Sequence, residues 1–330
     1  MFVVGLWRSG TSLLHALLNL HPAIALMYEA EMINLWPYQR VRLGTGRWPV
    51  RLEHFNQTFS RHGIAERSVT AAAPGREAAL DLYRLYGNAR AGRVQIIGEK
   101  APAYHTRLRL LARVFPEARF LIVWRDPAAC CRSAAQAAKT NQFFSQRGMH
   151  TRILFGAAKL ARDVEALKAE GAKLNEVVYE ELIKDTAGEL RRVCDFLGVD
   201  FAPEMLKLEA ADVSALPPGE HHAGVRSGVI GKPASKPDPL PPEFTTKCLR
   251  YSTAWRSRFS DLGFARALPT TKGATAPGML ERAVDGMGIN FWWMVDSGKR
   301  LLFRHIPLGW WARLRGAAPR TDAPVKTANK

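Results

Sequence analysis

Apolar residues along the N-terminal part of the chain fall in short blocks, alternately strand-sized and helix-sized, separated by turn and charged residues. Met1-Phe-Val-Val-Gly5 reads as a buried strand, followed by a turn and an apolar helix, Ser12-Leu-Leu-His-Ala-Leu-Leu-Asn-Leu20, that ends at His21-Pro22. Val94-Gln-Ile-Ile97 and Phe120-Leu-Ile-Val-Trp124 are further strands, with a helix from Tyr104 to Phe115 between them. Val177-Val-Tyr179 is a fourth strand, and the helix after it runs from Glu180 to Leu197, where Gly198 closes it. Repeated βα units predict an α/β fold: a parallel sheet flanked by helices in three layers, α/β/α, opening with a phosphate-binding strand, loop and helix.

The pattern breaks in three places. Residues 38 to 75 are irregular and basic, with Arg40, Arg42, Arg47, Arg51, Arg61 and Arg67, an insertion placed to shape a substrate site. Residues 216 to 242 are rich in Pro and Gly and predict a loop, either lying over a ligand or crossing the surface. After Phe264 the composition shifts again, which divides the chain into an α/β domain over residues 1 to 265 and a basic extension over 266 to 330. That extension carries Trp292, Trp293, Trp310 and Trp311 among Lys299, Arg300, Arg304, Arg313 and Arg315.

Composition narrows the function. Hydrophobic residues make up 47% and charged residues 23% of the 330, which excludes a disordered, collagen-like or polytopic membrane protein. Lys and Arg number 47 against 30 Asp and Glu, a net charge of +17, so the partner is anionic: nucleic acid, a membrane face, or a phosphate- or sulfate-bearing small molecule. Cys130, Cys131, Cys194 and Cys248 form no CxxC pair, giving no support for a zinc site or a disulfide framework. With no apolar run early in the chain long enough to span a bilayer, and no signal peptide, the expected location is cytoplasmic.

Gly5-Leu-Trp-Arg-Ser-Gly10-Thr11-Ser12 has the spacing of a Walker loop, G-x-x-x-x-G-K-[ST], with Thr11 in the place of the lysine and a cation inside the loop at Arg8. Backbone amides of the loop and of the following helix N-terminus still suit a phosphate. A nucleoside triphosphatase would lack its main contact to the β- and γ-phosphates, and Asp126, in Arg125-Asp126-Pro127, is a poor metal-holding acid.

These residues resemble sulfotransferases that use 3′-phosphoadenosine 5′-phosphosulfate (PAPS). Trp7-Arg-Ser-Gly-Thr-Ser-Leu-Leu-His15, with His21-Pro22 after it, is similar to the family's 5′-phosphosulfate loop. Phe120-Leu-Ile-Val-Trp-Arg-Asp-Pro-Ala-Ala-Cys-Cys-Arg-Ser133 resembles its 3′-phosphate segment, in which a strand-end Arg and a Ser eight residues later grip the phosphate, here Arg125 and Ser133. Glu99-Lys100-Ala101-Pro102 and Val178-Tyr-Glu-Glu-Leu182 match two further elements, and the resemblance spans roughly residues 1 to 210.

The resemblance implies in-line transfer of a sulfuryl group from PAPS to a hydroxyl or amine, with no metal required. Arg8, Ser9, Gly10, Thr11 and Ser12 would hold the 5′-phosphate, Arg125 and Ser133 the 3′-phosphate, and Tyr179 the adenine. Lys100 would neutralise the bridging oxygen as the S–O bond breaks. Glu29 is the expected general base, ahead of Glu31 and of His105. Lys232, Ser235 and Lys236, with His221-His222, fall where the family places a closing loop on the nucleotide. The acceptor class stays open, with a glycan or a lipid among the candidates. The tryptophan-rich tail either rests on an anionic membrane or packs back on the catalytic domain. A P-loop kinase using ATP and Mg²⁺, and then a nucleic-acid-binding protein, are the competing functions.

Overall fold

The computed structural model describes residues 1–31, 75–90, 93–145, 149–216 and 222–230. The arginine-rich insertion, His221, the candidates Lys232, Ser235 and Lys236, Cys248 and the tryptophan-rich extension lie outside the described residues.

Five parallel strands form one sheet in the order β2-β3-β1-β4-β5: β1 (Phe2–Gly5), β2 (Ile24–Tyr28), β3 (Ile96–Lys100), β4 (Phe120–Trp124) and β5 (Leu174–Val178). Alternate side chains on each strand feed opposite faces. Phe2, Val4, Phe120, Ile122 and Trp124 join one core with Tyr83, Leu108, Leu111, Leu160 and Val164. Val3, Leu121 and Val123 join the other with Leu14, Leu17, Leu190, Val193 and Leu197. Helices therefore cover both faces: α1 (Thr11–Leu18) and α7 (Thr186–Leu197) on one, and α2 (Gly75–Asn88), α3 (Leu108–Val114) and α5 (Met149–Ala169) on the other. The remaining helices are α4 (Pro127–Ala137), α6 (Tyr179–Lys184) and the single turn α8 (Ala223–Arg226). The expected three-layer architecture is the one observed.

Several details differ from the sequence expectation. β5 starts at Leu174 and Tyr179 opens α6 instead of ending the strand, and the stretch expected as one helix from Tyr104 to Phe115 is a 3-10 turn, Pro102–Thr106, followed by α3. β2 was not expected: Ile-Ala-Leu-Met-Tyr is buried at every position, so it shows no alternation, and Ala and Met carry little strand propensity. β3 is shifted toward the C-terminus and ends in Glu99 and Lys100, both fully buried, where polarity suggested a strand ending at Ile97. The helix expected from Glu180 to Leu197 is two helices, because Asp185 turns out of helical geometry and its carboxylate caps α7 by accepting from the Gly188 N–H at 2.9 Å. Gly198 ends α7 in the left-handed region, φ 70°, as expected.

β1 sits between β3 and β4, where successive connections leave in opposite directions. The crevice at the carboxyl ends of the strands at this reversal is the preferred ligand position of open α/β sheets. Among the described residues no helix is long and apolar enough to cross a membrane.

Candidate active site

The loop joining β1 to α1 occupies that crevice, and close contacts set its shape. A Cβ added at Gly5 would lie 2.6 Å from Ser9 Oγ and 2.7 Å from the Val123 carbonyl, so only glycine lets the loop fold back on the sheet. Ser9 is fully buried and donates to the Leu6 carbonyl from both Oγ, at 2.8 Å, and its backbone N–H, at 3.1 Å. Its donors thus close the loop rather than face the crevice. Gly10 has φ 96°, and a Cβ there would meet the Tyr179 ring at 2.2 Å, so conformation and space both exclude a side chain. Thr11 and Ser12 open α1, whose N-cap, Gly10, provides no side-chain cap for the first-turn amides.

Two guanidinium groups meet beside this loop. Arg8, in the left-handed region at φ 70°, donates from Nε to Ser133 Oγ at 2.9 Å. Arg125, just beyond the end of β4, donates from Nη1 to the Arg8 carbonyl at 2.9 Å, and its guanidinium lies 4.2 Å from the Tyr179 ring centroid. Burial, and then the charge of Arg125, lower the proton affinity of Arg8 from its usual value. The Nε of Arg125 is buried without a hydrogen-bond partner among the described residues, a donor still open to a ligand. Ser133 lies nearly two turns inside α4 rather than at a helix start. The start of α4 belongs to Asp126, whose Oδ1 accepts from the Ala128 N–H at 3.0 Å, and to Pro127. Asp126 is a helix cap, which accounts for its place beside Arg125 without a metal.

The second group forms at the ends of β2 and β3. Lys100, with no exposed surface, donates from Nζ to Glu29 Oε1 at 2.5 Å, and the ammonium lies 3.8 Å from the Tyr28 ring centroid. Burial disfavours the Lys100 charge, but Glu29 and Tyr28 outweigh it and the net shift is upward, so Lys100 stays protonated. Glu29 has φ 48°, and its N–H donates to the Lys100 carbonyl at 2.7 Å. Tyr28 continues the cluster: its hydroxyl is 3.1 Å from Ser12 Oγ and 3.2 Å from His222 Nε2.

The alternative bases are placed differently. His105 Nδ1 bonds the Pro102 carbonyl at 2.6 Å. Its Nε2, without a hydrogen-bond partner, faces Gly156, where an added Cβ would come within 2.4 Å. Burial pushes its pKa down to about 4, so it is a neutral ring wedged between Trp7 and α5. Glu31, at φ 52°, acts on Glu99, raising that carboxyl's pKa through its charge. Arg8, Glu29 and Glu31 are the non-glycine residues with left-handed φ among the described residues, and all three are sequence candidates. Backbone strain of this kind costs about 1–3 kcal/mol per residue and clusters at functional sites.

The structure therefore brings Arg8, Arg125, Ser133 and Tyr179 together on one side of the loop helix, and Ser12, Glu29 and Lys100 on the other. Sequence reasoning missed Tyr28 altogether and left His222 in a loosely placed loop. The one available signal for Tyr28 was an aromatic residue directly before the candidate base.

Residues 1–203 match the model of the sulfotransferase family. The omega-hydroxy-beta-dihydromenaquinone-9 sulfotransferases Stf3 of Mycobacterium bovis and Mycobacterium tuberculosis are 25% identical over 242 residues, covering 60% of this chain and 62% of theirs. Protein-tyrosine sulfotransferase A of Caenorhabditis elegans is 23% identical over 210 residues, covering 63% of this chain and 52% of its own. The chain thus spans between about half and 62% of the length of these relatives. The fold is similar to that of the sulfotransferase domain from the curacin biosynthetic pathway, with a TM-score of 0.52 and 18% identity over 78% of this chain and 96% of that domain.

Proposed function

The chain belongs to the sulfotransferase family, and from that premise we propose that it transfers a sulfuryl group from PAPS to a hydroxyl-bearing acceptor. The observation that carries this reading is the meeting of Arg8, Arg125 and Ser133 beside a helix N-terminus without a side-chain cap, with a buried Arg125 N–H that has no partner among the described residues. Such a site suits a multiply anionic nucleotide.

Arg8 and the amides and hydroxyls of Thr11 and Ser12 hold the 5′-phosphate. Ser9 and Gly10 give the loop its shape, and Arg125 and Ser133 take the 3′-phosphate. Tyr179, packed against Gly10 and Arg125, borders the adenine. Glu29 accepts the proton of the acceptor hydroxyl as that oxygen bonds to sulfur. Lys100 donates to the phosphate oxygen that keeps the electron pair of the breaking S–O bond. The names of the relatives point to a hydroxylated menaquinone and to a protein tyrosine, two acceptors that share only the hydroxyl. A kinase reading would ask Thr11 to replace the loop lysine and Asp126 to leave its helix cap.

The test is a thermal-shift series with 3′-phosphoadenosine 5′-phosphate, ATP with Mg²⁺, and a random oligonucleotide. The first raises Tm and the others leave it unchanged. Stabilisation by ATP with Mg²⁺ and none by the 3′-phosphorylated nucleotide overturns the proposal.

A further inference from the structure

Tyr28 is 1% exposed at the carboxyl end of β2, yet its hydroxyl joins two distant parts of the chain: Ser12 in the first turn of α1 and His222, just before α8. His222 is itself buried, at 8% exposure, and its ring meets Tyr28 edge-on with centroids 6.0 Å apart. A phenol has one proton to give and two lone pairs to accept with, and the neighbouring Lys100 ammonium can only donate to it, so the Tyr28 proton has two acceptors in this cluster, His222 and Ser12. If Tyr28 donates to His222, it must accept from Ser12, and the Ser12 proton is spent inside the protein. If His222 donates from Nε2–H, Tyr28 accepts it and donates to Ser12, and the Ser12 proton is released toward the crevice.

Only the second direction suits an anion at the N-terminus of α1, because a phosphate oxygen accepts and cannot donate. We propose that Tyr28 and His222 are positioning residues that act through Ser12: His222 donates to Tyr28, Tyr28 donates to Ser12, and the Ser12 hydroxyl is thereby turned to donate to the 5′-phosphate. The proposal rests on the sulfotransferase reading of the site. It gives the segment 222–230 a definite task, since the residue that sets the direction of the relay enters the site from there. Tyr28 also keeps its ring on the Lys100 ammonium, which its hydroxyl borders as well, so removing the hydroxyl alone leaves the ring contact in place.

The test is a double-mutant cycle read by calorimetric affinity for 3′-phosphoadenosine 5′-phosphate, with Tm recorded for every variant. Tyr28→Phe retains the ring and removes the relay, and weakens binding by about tenfold, the size of one hydrogen bond to a charged group. Ser12→Ala has a similar effect, and Tyr28→Phe adds nothing further in the Ser12→Ala background, because both act on the same bond. His222→Gln, whose amide can still donate, binds more tightly than His222→Ala. Additive losses in the cycle, or Tyr28→Phe and His222→Ala proteins that bind as the parent does, overturn the relay. Should Tyr28→Phe fail to fold, the same cycle is run with His222→Ala. A parent protein with no affinity for this nucleotide overturns the sulfotransferase reading instead, which keeps the two failures distinct.

Discussion

Arg8 and Arg125 are held by a serine hydroxyl, a backbone carbonyl and a tyrosine ring, whereas Lys100 is held by a carboxylate. Neutral hydrogen-bond partners orient a cation without discharging it, and burial shifts Glu180, which feels the Arg125 charge, toward its neutral form, so the arginine side keeps its attraction for an anion and meets it with donors already aimed. The lysine side is balanced within itself. Lys100 and Glu29 hold each other in an ion pair, which in the proposed reaction would open as a leaving oxygen engages one and an acceptor hydroxyl the other. The difference teaches a division of labour: the arginine side should govern how tightly the nucleotide binds, and the Lys100–Glu29 pair should govern turnover.

The largest expected effect tests the turnover half. Glu29→Gln preserves shape and removes the proposed base, and should lower kcat by about 10²–10⁴-fold. Nucleotide affinity should stay within about threefold of the parent, since the substitution removes a group that acts in the transition state. Steady-state kinetics with labelled PAPS, together with calorimetry, separate the two quantities. A Glu29→Gln protein that turns over normally would place the base elsewhere and end the proposed division.

A smaller effect tests the binding half. Arg125→Ala removes a charged donor and should weaken nucleotide binding by about 10–100-fold, in line with the ~1.5–3 kcal/mol of a charge-assisted hydrogen bond. Ser133→Ala should cost less, about fivefold, because its hydroxyl is a neutral group that also steadies Arg8. In both variants kcat at saturating donor should change little. A large fall in kcat with unchanged affinity would exchange the roles of the two sides.

The comparison also explains what the sequence could and could not reveal. The arginine side was legible because its parts are local and spaced by backbone geometry: a glycine-bounded loop after a strand, and an arginine ending another strand eight residues before a serine. The lysine side was legible only in part. Lys100 and Glu29 stood out as charged residues in matching motifs, but the burial of Lys100 and the extension of β3 to include it depend on β2, a strand whose uniform burial leaves no periodic signal. Tyr28 and His222 are 194 residues apart, and no local pattern pairs them. The same limit applies to the contact of Ser133 with Arg8, 125 residues away: its spacing from Arg125 was legible, but this pairing is made only by the fold and by the left-handed Arg8.

The smallest effect concerns why the lysine side stays balanced. Glu99 precedes Lys100 on β3 and is wholly buried, with Tyr83, Tyr104 and the Glu31 backbone beside its carboxyl group. Burial pushes its pKa from 4.5 up to about 8; the Tyr104 hydrogen bond opposes the shift and the charge of Glu31 adds to it. At neutral pH Glu99 therefore holds its proton, and the carboxylate that pairs with Lys100 is Glu29. The sign of the pH effect follows from the raised value. Between about 4.5 and 8 the folded protein binds a proton that the unfolded chain has released, so this contribution to stability is complete below 4.5 and is lost as the pH rises through 8. Glu99→Gln supplies a permanently neutral group of similar shape. The Tm difference between variant and parent should grow in the variant's favour from pH 5 to about pH 8 and level off above it. A difference independent of pH over that range would mean that Glu99 is ionised in the folded protein, and the lysine side would then carry an extra negative charge that repels the anion its neighbours are built to hold.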